Sequence, residues 1–131
     1  MTPSLSYRLT WVLGTYILMP LCKFKASGRE HVPMTGPMIL ASNHQSYLDP
    51  TILGCGSPRM PIRFMARESL YNNRLAGFYF RHAMTFPVKR GGADRQAWKK
   101  FESLVKEGEQ VAFFPEGTRT EDGKLLPVVA G

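Results

Sequence analysis

Three short polar clusters hold the residues of this sequence best suited to chemistry. The first, Asn43-His44-Gln45-Ser46-Tyr47-Leu48-Asp49, sets a histidine and an aspartate five positions apart. A neutral imidazole, with an ordinary pKa of about 6.5, is the usual acceptor of a hydroxyl proton near neutral pH. A carboxylate beside it would fix its tautomer and stabilise the imidazolium as it forms. The pair alone is weak, since a His-x4-Asp would arise by chance in roughly 15% of such chains. Asp49 could equally serve as a simple helix N-cap. The second cluster, Lys89-Arg90-Gly91-Gly92, joins two cations to two chain-breaking glycines. The third, Phe114-Pro115-Glu116-Gly117-Thr118-Arg119, is the strongest signal. Its glycine lets backbone approach a ligand, Arg119 offers a planar fork matched to phosphate, and Glu116 could accept a hydrogen bond from a hydroxyl.

No nucleophile accompanies these groups. There is no G-x-S-x-G elbow, and Ser42, Ser46 and Cys55 stand in no catalytic signature. A His–Asp pair without a serine suggests a base that activates the substrate's own hydroxyl. Direct acyl transfer to an alcohol fits that better than hydrolysis through an acyl-enzyme.

The elements that must position these clusters alternate in type. Met38–Ser42 reads as a buried strand introduced by Gly36 and Pro37, and Thr51–Gly54 as a helix with Asp49 able to cap it and Pro50 at its start. Ile62–Ala66 is a second strand, Arg74–Ala83 a helix, and Thr85–Val88 a third strand. Asp94 opens the clearest helix, with Trp98, Phe101, Leu104 and Val105 on its apolar side and Gly108 as its stop. Gln110–Phe114 is the fourth strand. Such alternation predicts an α/β fold, a mostly parallel sheet with flanking helices. The carboxyl ends of parallel strands share one edge, where ligands bind. All three clusters follow strands, so order and spacing bring them to one crevice.

Charge is concentrated rather than spread. Between Arg59 and Lys100 ten basic residues face two acidic ones, an excess of +8 in a chain whose net charge is +7. Such a field attracts phosphate on a membrane, a small substrate or nucleic acid. Recognised nucleic-acid motifs and interleaved aromatics are missing, which argues against the last. Cys22 and Cys55 match neither a CxxC pair nor a zinc spacing, and as buried, isolated thiols they would suit a reducing compartment.

The segment Leu9–Cys22 carries no charge. A spanning helix needs about 20 residues, so this run is too short to cross a bilayer unaided, and Pro20 should end or kink it. Trp11 and Tyr16, followed by Lys23, Lys25 and Arg29, suggest residues 1–27 as a membrane-interface helix with its basic flank toward the cytoplasm. The alternative is a buried first helix of the domain at 28–131.

Taken together, NHQSYLD and FPEGTR resemble the blocks of the glycerolipid acyltransferases, of the 1-acyl-glycerol-3-phosphate acyltransferase type. Thr85-Phe86-Pro87-Val88-Lys89-Arg90 with Gly91 is similar to the block between them, and the likeness runs from about Gly28 to Pro127. A six-residue identity is expected by chance in about one chain per several hundred thousand. The resemblance implies a glycerol-3-phosphate acyltransferase-like fold in which His44 deprotonates the acceptor hydroxyl and Asp49 orients it. Arg90 and Arg119 would hold the acceptor's phosphate, with Glu116, Gly117 and Thr118 completing its pocket. Implied partners are lysophosphatidate, an acyl thioester on coenzyme A or acyl carrier protein, and the anionic lipid of the inner membrane's cytoplasmic face. The product would be phosphatidate, and neither metal nor redox cofactor is expected. Other acceptors, or a silent lipid-binding member of the fold, are the rival readings, and an intact His44 and Asp49 disfavour the silent one. Two departures stand out. The family's fourth block lies beyond the third, past Gly131, and Leu126-Pro127-Val128-Val129 lacks a lysine common in the family. A domain incomplete at its C-terminus is therefore expected to be marginal alone, with the fourth strand left as a bare edge.

Overall fold

The computed structural model describes residues 3–89 and 94–128. Four strands, β1 (Met38–Ala41), β2 (Ile62–Arg67), β3 (Thr85–Val88) and β4 (Gln110–Phe113), form one sheet in the order β1-β4-β2-β3. Every pairing is parallel, with Ile39 opposite Val111, Phe64 opposite Ala112 and Met65 opposite Phe86. The sheet is therefore of the expected class, and its strands begin where they were predicted. Their order corrects one expectation. Among the described strands β4 is central, with Val111 and Ala112 fully buried, and β1 lies at the edge beside it.

Alternation along the strands divides the core into two faces. Val111 and Phe86 point to one side, where α5 (Arg95–Lys106) lays Phe101 and Leu104 on them. Each such buried side chain contributes about 1.5–3 kcal/mol. Asp94 caps α5 by accepting from the Gln96 and Ala97 N–H groups, and Gly108, at φ +80°, supplies the left-handed turn that ends it. Ile62, Phe64 and Ala112 point to the other side and meet Leu53 of α3 (Asp49–Gly56). Helix α4 (Arg74–His82) leads into β3 and is capped by Asn73.

The N-terminal segment belongs to the α3 side. It forms α1 (Leu5–Leu13), a wider π turn (Gly14–Leu18) and the short α2 (Met19–Leu21). The packing expected of a first helix of the domain is present on one of its faces, and the two faces differ. The inner face packs on the domain: Tyr7 is buried and its hydroxyl accepts from Ile62 N–H, while Trp11 Nε1 donates to the Gly54 carbonyl. Gly14 lets the helix close on α3, since a Cβ there would collide with Cys55 Sγ. The outer face exposes Leu5, Leu9, Val12, Leu13, Tyr16, Ile17 and Leu21. Trp11 is thus an internal anchor and only Tyr16 of the two rings points outward. No helix among the described residues is long and apolar enough to cross a membrane. Cys55 is buried as expected, but Cys22 is exposed.

Candidate active site

The first and third clusters meet because β1 and β4 are neighbours. The chain leaves β1 at Ala41 and loops into α3, and the chain leaving β4 runs alongside that loop. Glu116 ties them together. It is 5% exposed, and its carboxylate accepts from His44 N–H at 3.0 Å and from Leu126 N–H at 2.9 Å. Thr120 N–H donates to the His44 carbonyl at 2.8 Å. Both backbone groups of His44 are therefore held by the chain that follows β4, one by Glu116 of the third cluster and one by Thr120 just after it. Glu116 was expected to meet a substrate hydroxyl; instead it faces inward with each oxygen accepting a backbone N–H. Gly117 takes φ +63° in the intervening turn, and its N–H donates to the Phe114 carbonyl.

The side chains complete the arrangement. His44 Nδ1 lies 2.8 Å from Asp49 Oδ2, and the imidazole stacks on Phe114 with centroids 4.0 Å apart and planes 14° from parallel. The same Asp49 oxygen accepts from the Gln45 and Ser46 N–H groups, at 2.7 and 2.8 Å. Burial pushes the Asp49 pKa up, but the hydrogen bonds from Ser46, His44 and Gln45 together outweigh it and leave the pKa below the usual carboxylate range. An ionised Asp49 only accepts, so His44 must donate from Nδ1, and in the neutral ring the free lone pair is then on Nε2. No described residue hydrogen-bonds to Nε2. Asp49 is not the N-cap of α3: it is the first helical residue, and its carboxylate turns back into the preceding loop. A cleft of about 220 Å³ opens beside the pair, lined by Ser42, Asn43, Gln45, Asp49, Ile52 and Leu53.

Arg119 and Thr118 are exposed on the rim. The Arg119 guanidinium lies over the Tyr47 ring and Nη2 donates to its hydroxyl at 2.9 Å. Of the second cluster only Lys89 is described; it follows β3, which β4 and β2 separate from β1 in the sheet. Its Lys89 N–H donates to Asp94, and Arg90, Gly91 and Gly92 lie outside the described residues. No group of three or more His, Cys, Asp or Glu among the described residues could hold a metal ion. Spacing alone missed Phe114, Tyr47 and Thr120 as supports. All three sit inside or beside the clusters, but only folding shows which way they face.

The acyltransferase family model matches residues 23–131, which covers the site and all four strands. The chain belongs to the acyltransferase family. The chain is 33% identical over 98 residues to the 1-acyl-sn-glycerol-3-phosphate acyltransferase of Bacillus subtilis, covering 75% of this chain and 49% of the relative. It is 34% identical over 118 residues to a chloroplastic 1-acyl-sn-glycerol-3-phosphate acyltransferase of Brassica napus, covering 87% of this chain and 33% of that one. A human 1-acyl-sn-glycerol-3-phosphate acyltransferase, the beta form, is 27% identical over 133 residues, or 92% of this chain and 44% of its own. The chain thus spans half or less of the length of these curated relatives. No solved structure gives a significant match.

Proposed function

We propose that this acyltransferase moves a fatty acyl group from an acyl thioester to the free hydroxyl of 1-acyl-glycerol-3-phosphate, giving phosphatidate. The observation that carries the reading is the His44–Asp49 pair with Nε2 open, locked through Glu116 to a turn that ends in Arg119. His44 Nε2 takes the acceptor's proton as its oxygen attacks the thioester carbonyl. The C–S bond then breaks, and the proton passes from His44 to the departing thiolate. Asp49 holds the tautomer and balances the imidazolium. The chain's own residues supply this chemistry, so neither metal nor redox cofactor is required.

Arg119 binds the acceptor's phosphate at the rim, joined by Arg90 as the family resemblance implies. Gly117 and Thr118 shape the turn, and Glu116 holds it against His44. The relatives' names support lysophosphatidate as acceptor. Coenzyme A and acyl carrier protein are the two candidate carriers. The exposed apolar stripe of the N-terminal helix, with Arg8, Lys23 and Lys25 and no acidic residue before Glu30, rests on an anionic lipid surface at the cytoplasmic face.

The test supplies the full chain with lysophosphatidate or glycerol-3-phosphate, each with both thioesters, in vesicles containing anionic lipid. Phosphatidate should form from lysophosphatidate. Transfer to glycerol-3-phosphate alone would overturn the acceptor, and activity indifferent to anionic lipid would overturn the docking surface.

A further inference from the structure

Arg119 is held in a way that a phosphate role alone does not explain. Its Cζ lies 3.6 Å from the centroid of the Tyr47 ring, and its Nη2 donates to the Tyr47 hydroxyl at 2.9 Å. The two residues come from different clusters, yet the 75%-exposed Tyr47 ring has settled beneath this guanidinium. An arginine on an exposed turn otherwise loses substantial rotamer entropy when it binds a ligand.

The choice of support matters. Among the described residues Arg119 makes no ion pair, and neither Nε nor Nη1 is engaged in a hydrogen bond. A carboxylate partner would fix the guanidinium but would also neutralise it and compete with an incoming anion. An aromatic face holds the cation through its quadrupole and leaves the charge intact. Stacking also sets the plane of the fork, and that plane decides whether two N–H groups can meet two phosphate oxygens together.

We propose that Tyr47 is a positioning residue for acceptor recognition: it pre-orients the Arg119 guanidinium at the rim without neutralising it. The inference rests on the reading of Arg119 as a phosphate ligand. It adds that the first cluster contributes to acceptor affinity through Tyr47, besides supplying the base.

The experiment compares the full chain with its Tyr47→Phe, Tyr47→Ala, Arg119→Ala and Tyr47→Ala/Arg119→Ala variants. Calorimetry measures binding of glycerol-3-phosphate, as the soluble headgroup, and kinetics with lysophosphatidate separates acceptor KM, donor KM and kcat. Tyr47→Ala should raise the acceptor Kd and KM about three- to tenfold, while kcat and donor KM change less than about twofold. Tyr47→Phe keeps the stacking face and should stay within about twofold of wild type. In the Arg119→Ala background, removing Tyr47 should add nothing, because the group it positions is gone. Wild-type acceptor affinity in Tyr47→Ala, or an equal loss in both backgrounds, would overturn the inference. The second of these would mean that Tyr47 touches the acceptor itself. If Arg119→Ala leaves acceptor affinity unchanged, the phosphate role falls first, whatever Tyr47 does. A wild-type chain that binds no glycerol-3-phosphate overturns both.

Discussion

His44 and Arg119 are carried by loops at the same edge of the sheet, yet the fold holds them in opposite ways. His44 is gripped at its backbone N–H by Glu116, at its carbonyl by Thr120, at Nδ1 by Asp49 and across its ring by Phe114. Arg119 stands in solvent against one aromatic ring. The contrast follows from the work each would do. Proton transfer requires heavy atoms within about 2.6–3.2 Å, so a base that drifts loses its rate. A phosphate ligand must reach, and release, a mobile anion at the surface, where strong burial would carry a desolvation cost.

If the floor of the site serves rate and the rim serves affinity, substitutions should separate accordingly. His44→Ala should give the largest effect, lowering kcat by about 10²–10⁴ while glycerol-3-phosphate binding stays within about twofold. Turnover close to wild type would remove His44 from the chemistry. Asp49→Asn should approach the same loss, since a neutral amide no longer enforces the tautomer that leaves Nε2 bare.

Glu116→Gln comes next. An amide can accept at only one of its two positions, so one of the His44 and Leu126 N–H groups would face another donor inside the protein. A cost of about 1–3 kcal/mol in stability should follow, read as a lower Tm with reduced kcat. A rise in acceptor KM alone, with Tm unchanged, would return Glu116 to the substrate side of the comparison.

Acid titration sharpens the same contrast. A carboxylate whose folded pKa is depressed contributes stability that is fully present above its unfolded pKa and is lost as pH falls through the folded one. Asp49 is such a group, held down by its hydrogen bonds against burial. Wild-type stability should therefore fall below about pH 4, and Asp49→Asn should fall less steeply there. Parallel melting curves for the two proteins across that range would contradict the grip on Asp49. The smallest effect belongs to the rim: Arg119→Lys should raise acceptor KM only about three- to tenfold with kcat retained, because a point charge replaces the fork. A fall in kcat with unchanged KM would place Arg119 in the chemistry.

Most of the layering was legible because the strands are apolar runs set between glycines, prolines and caps. Asp94 and Gly108 bracket α5 as their chemistry predicts, and its apolar side faces the sheet. Local pattern carries no information about which strand lies beside which, so β4 was expected at an edge and stands in the centre. The same limit hid the turn of Glu116 toward His44, because only the adjacency of β1 and β4 creates that contact. Asp49 illustrates a different limit. A carboxylate at a helix start can cap the helix or bind the loop before it, and the loop's N–H groups together with His44 decide the outcome. In the N-terminal helix the sequence set Trp11 and Tyr16 together, although they face opposite ways. Gly14 and Trp11 mark the packed face only once α3 is in place.

The strand order also bears on how the protein is made. Of the described strands β1 is synthesised first but pairs only with β4, which is made after the other three. A nascent chain leaving the ribosome can join β2 to β3, while β1 waits with its hydrogen-bonding groups unmatched. Insertion of Gln110–Phe113 joins β1 to the β2–β3 pair, and the residues that follow include those that grip His44. Folding should therefore be late and dominated by contacts distant in sequence, a topology that slows collapse and lengthens exposure to chaperones. A stalled chain ending before Gln110 would carry its histidine and aspartate but lack the strand that gathers them into a site.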